Sequence, residues 1–214
     1  MTNNPFSPPI PEGEPFSVLI SAERHRAKNT LQVVASLLSL QSREVTDPAT
    51  RSLFVAAGER VRIIAVVYER LSRSGATGRL DFADALRELV GMVVRSQPTP
   101  VVTSQVFADS LQVDLDTGIP LALIAYELLS DAVAHAFAGR AAGRIEVSLR
   151  VPTTPTECLL TIADDGVPRT PLSATGGEGL RAKIVDVLIR QLKGRLTLES
   201  VSGTRLAVRF PVSL

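Results

Sequence analysis

The 214-residue sequence has no tryptophan, two tyrosines, two histidines and one cysteine. Without tryptophan, neither an aromatic cage nor an interfacial aromatic belt is advertised. The lone cysteine, Cys158, excludes an internal disulfide and fits a reducing compartment. Set in Cys-Leu-Leu-Thr-Ile, it reads as a core thiol. Charge of one sign is also missing. Lys and Arg number 23 and Asp and Glu 22, for a formal net charge of +1. That balance gives no electrostatic case for nucleic acid or a membrane surface as partner. No apolar run approaches the roughly 18 residues of a membrane span. Met1 to Pro15, rich in Pro and Asn, lacks the basic start and apolar core of a signal peptide. Read as it stands, the sequence predicts a cytoplasmic protein without a membrane anchor.

What is present suits a globular protein: 45% of residues are hydrophobic, in a length that holds one large domain or two small ones. Residues 1–14 read as a loose tail, 15–78 as a helical hairpin and 79–214 as a mixed domain. The first helix is expected over 16–43. Asp47-Pro48 then looks like a cap followed by proline at the first helical position. The second helix runs to about Ser72, with Ala57, Val61, Ile64, Tyr68 and Leu71 stepping by four and three as a helix-packing seam. A lone hairpin cannot cover apolar stripes on both of its helices. Two copies pairing as a four-helix bundle can, so residues 16–72 predict a homodimer.

Beyond Leu80 the pattern changes. It predicts a helix from an Asp81 cap to Arg95, and strands at 101–107 and 111–115. A long apolar helix follows over 117–137, with Pro120 in its first turn. Strands at 144–151 and 157–163, a helix at 178–192 and a closing strand pair at 195–200 and 205–211 complete the order. Helices on one face of a mixed sheet make an α/β sandwich, so the fold class is α+β with the hairpin first.

The stretch from Ala22 to Gln41 organises the functional reading. With His25 at zero on a helical wheel, Asn29, Gln32, Ser36 and Ser39 fall within about 40° of it. Ile20, Ala27, Leu31, Val34 and Leu38 fall on the opposite side, at about 180–240°. His25 thus projects from a polar face, among Arg24, Arg26 and Lys28, three cations suited to a phosphoryl group. Imidazole titrates near neutrality and can act there as a neutral nucleophile.

Glu23-Arg24-His25-Arg26-Ala27-Lys28-Asn29-Thr30-Leu31-Gln32 resembles the phosphoacceptor box of bacterial sensor histidine kinases of the HWE-related class. The resemblance makes His25 the phosphorylated residue. It suggests Arg26 and Lys28 as stabilisers of phosphoryl oxygens, Asn29 as an orienting group and Glu23 as an aid to the imidazole. The second half resembles the ATP-binding domain of the same kinases, the fold shared with gyrase and Hsp90-type ATPases. Glu127-Leu128-Leu129-Ser130-Asp131-Ala132-Val133-Ala134-His135-Ala136-Phe137 looks like that family's E-L-x-T-N-A-x-K-H-A-F box. Asp164-Asp165-Gly166 looks like its D-[ND]-G-x-G box, and Gly177-Glu178-Gly179-Leu180 like its G-x-G-L box.

The chemistry of these boxes is coherent. Glu127, Asp131 and His135 step by four and share one helix face, which in the family looks at the nucleotide. Asp164 follows an apolar strand, where a carboxylate can accept the adenine amino group. Gly166 belongs to the same box. Gly177 and Gly179 would let backbone N–H groups approach phosphates at a helix start. Asp131 is the candidate magnesium ligand, if ATP binds.

Departures from the pattern bear on ATP. Asp131 stands for the family's Asn, Ala134 for its Lys and Pro168 for the second Gly of the D-x-G-x-G box. The loop from Val167 is short for an ATP lid. Asp131 adds a negative charge beside a triphosphate, and two unit charges 4 Å apart interact by about 4 kcal/mol at an effective dielectric near 20. ATP and magnesium binding is therefore expected to be weakened or lost. The main expectation is a histidine phosphotransferase that relays phosphate between response-regulator receiver domains through His25. The alternatives are a sensor-less histidine kinase that phosphorylates His25 from ATP, and a non-enzymatic adaptor.

Overall fold

The structure is a computed structural model that describes residues 14–74, 78–96, 101–152, 157–168, 179–199 and 203–211. Helix α1 (Glu14–Glu44) and helix α2 (Pro48–Arg73) form the antiparallel hairpin. The turn closes as the sequence predicts. Asp47 accepts the Thr50 N–H at 2.7 Å, and Pro48 opens α2 where no N–H is needed.

The seams agree with the expected ones in part: Leu31 and Leu38 of α1 and Leu71 of α2 turn inward as expected, and others do not. On α1 the residues turned inward are Leu31, Ala35, Leu38 and Ser42, while Val34 stays 39% exposed. On α2 the buried residues are Gly58, Ile63, Ala65, Val67 and Leu71, and Ala57, Val61, Ile64 and Tyr68 are only half-buried. The cause is that α2 has two neighbours. A Cβ at Gly58 would lie 3.6 Å from Leu38 Cβ, so Gly58 marks the face against α1. Ile63, Val67 and Leu71 step by four along a second face and join the core of the C-terminal half.

That half begins with β1 (Leu80–Asp81) and α3 (Phe82–Arg95). Strands β2 (Val101–Ala108) and β3 (Gln112–Val113) follow, then helix α4 (Leu115–His135). The rest is β4 (Ala142–Arg150), β5 (Cys158–Asp164), α5 (Leu180–Gln191), β6 (Arg195–Glu199) and β7 (Thr204–Phe210). The expected strand at 111–115 shrinks to two residues. They pair with β1 apart from the main sheet, where Asp81 accepts the Ser110 hydroxyl and the Leu111 N–H. Helix α4 starts earlier than expected because Asp114 caps it, accepting from Thr117 N at 2.9 Å. Pro120 is consequently the sixth helical residue and not in the first turn.

The five-stranded sheet has the order β2-β4-β5-β7-β6. Only β2 and β4 are parallel, and α4 supplies the crossover such a pair requires. Helices α3, α4 and α5 pack on the sheet. Ile145, Val147 and Leu149 of β4 point alternately inward, against Leu121, Ile124, Leu128 and Leu129 of α4 in one core. This is the α+β architecture expected from the sequence, a hairpin followed by a sandwich. Cys158 is fully buried, and burial pushes its thiol up, so it is an inert core group. By length and composition α4 could cross a membrane, yet 72% of its apolar window is buried as the central core helix.

Lys28 of α1 meets Glu69 of α2 at 3.2 Å. The hydrogen bond from Lys28 holds the Glu69 carboxyl below its ordinary value of 4.5. A lowered folded-state pKa contributes stability above the ordinary value, which is lost as pH falls through the lowered one. Glu69→Gln is expected to cost at most about 1 kcal/mol at neutral pH. In denaturant melts compared across pH, the difference from wild type should shrink as pH falls below the ordinary carboxylate range and Glu69 takes up its proton.

Candidate functional site

His25 is exposed on α1, and among the described residues its ring is met by Asn29. The Asn29 carboxamide, one turn on, lies 3.3 Å from Nδ1. With the amide nitrogen facing the ring, Nδ1 accepts and the ring proton sits on Nε2. A half-turn of the amide makes Nδ1–H the donor and leaves Nε2 with an outward lone pair. The flanking charges are engaged elsewhere. Glu23 binds Arg26 at 2.5 Å and does not face the imidazole. Lys28, 19% exposed, is tied to Glu69. The expected roles of Glu23 at the imidazole, and of Arg26 and Lys28 at phosphoryl oxygens, would each require these pairs to open.

The second cluster forms where α4 and β5 end together. Val167 N donates to Ala136 O at 2.8 Å, and a Cβ at Gly166 would fall 2.2 Å from that same oxygen. Gly166 is therefore explained by this close approach of β5 to α4. Asp164, the last residue of β5, is buried and opposite Thr204 in the β5–β7 register. One of its oxygens accepts the N–H groups of Gly166 at 3.0 Å and Thr204 at 3.3 Å. The preceding Gly203 has φ +95°, and a Cβ there would meet the Asp164 carbonyl at 2.0 Å, so only glycine lets β7 begin so close.

Thr204 is 3% exposed, and its Oγ1 has no partner among the described residues. A buried carboxylate beside an unsatisfied hydroxyl suits a heterocycle offering both donor and acceptor, as the adenine edge does. This fit is an observation about the nucleotide that the sequence boxes lacked. In the sequence, Gly203-Thr204-Arg205 fits the closing pattern of the same family, and the strand register sets its Thr204 opposite Asp164.

The three residues spaced by four on α4 part company. Asp131 is 4% exposed and His135 is exposed, their closest atoms 4.0 Å apart. Glu127, 2% exposed, turns towards the hairpin: Arg60 Nε of α2 donates to its Oε1 at 2.6 Å. It was expected to face a nucleotide, and the structure gives it an interhelical partner. Arg181 of α5 stands 3.9 Å from its other oxygen, beyond hydrogen-bond reach. Arg60 and Arg181 were not singled out in the sequence, because only the docking of three helices brings them to Glu127. Gly179 caps α5 with no side-chain bond, while Gly177 and the lid segment from 169 to 178 lie outside the described residues. Among the described residues no cluster of three metal-ligating side chains exists. Asp131 could hold a magnesium ion only together with ligands such as phosphate oxygens.

The two clusters lie far apart. The Lys28–Glu69 and Arg60–Glu127 pairs are nine residues apart on α2, about 14 Å of helix. Helix α4 runs antiparallel to α2, since Gly118 abuts Val67 while Glu127 reaches Arg60. Asp131 lies one turn beyond Glu127, and His25 nearly one turn beyond Lys28 in the other direction. Within one chain, the face of Asp131 and the His25 ring are thus more than about 20 Å apart along the bundle.

An exposed histidine on a helical hairpin, joined to a sandwich with a buried Asp164 beside the Thr204 hydroxyl, is the arrangement that comparison with known proteins places in a family. Residues 23–97 match the family profile described as histidine kinase. Residues 116–214 match the profile described as histidine kinase-, DNA gyrase B- and HSP90-like ATPase. The chain is 29% identical over 88% of its length to the sensor histidine kinase PdtaS of Mycobacterium tuberculosis, covering 38% of that protein. It is 30% identical over 87% of its length to a blue-light-activated histidine kinase of Rhizobium johnstonii, covering 51% of it. The histidine kinase domain of the Erythrobacter litoralis blue-light kinase EL346 superposes with a TM-score of 0.68 at 20% identity, over 89% of this chain and 93% of that one. The chain belongs to the histidine kinase family, HWE-related class. It spans only about two-fifths to half the length of these two curated relatives.

Removing one partner of a buried ion pair strands the other, at a cost of about 3 kcal/mol or more. Arg60→Ala is expected to destabilise the fold by that order in chemical denaturation. Adding Glu127→Gln should recover most of the loss. No recovery in the double variant would show that Arg60 acts through packing alone.

Proposed function

We propose that this chain is the catalytic unit of a histidine kinase that takes the γ-phosphoryl group of ATP onto His25 and passes it to a response-regulator aspartate. This replaces the relay between two regulators expected from the sequence. The relatives are sensor histidine kinases and not phosphotransferases. The observation that carries the reading is the Asp164–Thr204 pair, a buried acceptor beside an unsatisfied hydroxyl, which a phosphotransferase without nucleotide would have no use for.

ATP with magnesium supplies the phosphoryl group when bound. The chain's part is positioning and charge neutralisation, on which such transfers mostly depend. Asp164 and Thr204 would read the adenine edge, and Asp131 would share the metal with the phosphates. Asn29, with its oxygen towards the ring, would keep the proton on His25 Nδ1 and direct the Nε2 lone pair outward. The N–P bond forms at Nε2 as the bond to the departing diphosphate breaks.

The distance between the two clusters in one chain requires that the sandwich leave α2, or that the acceptor histidine come from a second copy. A second copy is favoured by the stripes left bare on the hairpin. Val33, Leu37 and Leu40 of α1 are 54–59% exposed, as are Leu53 and, at 47%, Val55 of α2. Pairing two hairpins as a four-helix bundle would cover such stripes. The end of the bundle nearest His25 would remain for a receiver domain.

With radiolabelled ATP and magnesium, wild-type protein is expected to become labelled, and His25→Ala to remain unlabelled. Asn29→Ala should slow labelling by about fivefold to tenfold, the worth of one hydrogen bond. Absence of label on wild type, with transfer to His25 from a phosphorylated regulator, would restore the relay. Light scattering should return a dimer.

A further inference from the structure

Between α2, the C-terminal end of α3, and α4 lies a cleft of about 760 Å3. Its α4 wall presents Tyr126, Ser130 and Ala134, and Arg181 of α5 closes one side. We infer that this cleft receives the polyphosphate end of the nucleotide, with Arg181 as the cation that holds it in place of the lysine expected at position 134. The inference rests on the nucleotide-binding reading above and adds a residue to it.

Three observations carry it. First, the charge lining is one-sided: Arg51, Arg62, Arg95 and Arg181 face a single acid, Glu59. Two of these arginines are already used. Arg62 is held by Glu59 at 2.5 Å, and Arg51 by the Val45 carbonyl at 2.8 and 3.0 Å. Second, Arg181 is under-satisfied. Its Nη1 is buried with no partner among the described residues, and its Nε is 3.9 Å from Glu127 Oε2, which is itself unpartnered. Arg60 already serves the other oxygen of Glu127. A buried guanidinium N–H without an acceptor is costly, and a phosphate oxygen is the acceptor its planar fork fits best.

Third, the position compensates the sequence. Asp131 adds a negative charge where the family pattern has a neutral Asn, and Ala134 removes a positive one. Ala134 and Arg181 line the same cleft, so Arg181 restores a cation within reach of the place where one was lost. It is the second residue of α5, whose N-cap Gly179 makes no side-chain bond, so the helix dipole acts in the same sense. Burial raises the Tyr126 hydroxyl pKa, so near neutrality it lines the cleft as a neutral group.

The test is a comparison of affinities for AMP, ADP and ATP with magnesium, measured by calorimetry on the full chain. Arg181→Ala is expected to weaken ATP at least tenfold while changing AMP by less than twofold. Arg181→Lys should retain part of the ATP affinity, and Ala134→Lys in the Arg181→Ala background should restore most of it. Equal losses for all three nucleotides, or no loss, would overturn the inference. So would failure of both lysine variants to recover ATP affinity while their melting temperatures match wild type. Should wild type bind no nucleotide, the kinase reading fails by itself, and inorganic triphosphate then decides. Triphosphate binding lost in Arg181→Ala upholds the cleft as a polyphosphate site, and no binding overturns it.

Discussion

Ile63, Val67 and Leu71 of α2 are 1% exposed, sealed against the sandwich, while Gly58 and Ala65 of the same helix face α1. A helix with two buried faces cannot belong to one unit alone. It joins the hairpin that carries His25 to the sandwich and fixes the height at which each sits. Arg60 reinforces the join, because Glu127 is too deeply buried to lose its partner cheaply. The distance from His25 to Asp131 follows from this packing, and so does the need for a moving domain or a second copy.

The Asp164 end of the sandwich is built by close approaches and not by long side chains. Gly166 brings β5 against the end of α4, and Gly203 lets β7 start beside Asp164. Together they place a buried carboxylate, an unsatisfied hydroxyl and the last turns of α4 at one end of the sandwich. Compactness of this kind leaves little freedom to the adenine side. The phosphate side is looser: its cations are spread over three helices, and its acidic residue Asp131 has replaced an amide.

Much of this was legible in the chain. The three Asp caps, two of them anticipated, and the alternation in β4 and β5 mark the elements because they are local signals. Three boxes place His25, Asp131 and Asp164 for the same reason. What was not legible depends on pairing across the chain. One seam was sought on α2 where there are two, so Ile63 and Val67 were missed. Glu127 shares its spacing with Asp131 and His135, yet a cation 67 residues away draws it to the hairpin. Lys28 and Arg26 looked like phosphate ligands by proximity to His25, whereas Glu69 and Glu23 already hold them. Spacing along a helix sets the face of a residue; the neighbour on that face sets its use.

The account stands on Asp164 as the group that reads the base. Asparagine there keeps one oxygen for the Gly166 and Thr204 N–H groups but exchanges the other acceptor for a donor. Magnesium-ATP titrated into wild type and Asp164→Asn, with melting curves to confirm that both are folded, is the direct measurement. One saturable site per wild-type chain, lost in the folded Asn variant, is the result expected. A wild-type chain without saturable binding, or an Asn variant that binds equally well, would contradict it.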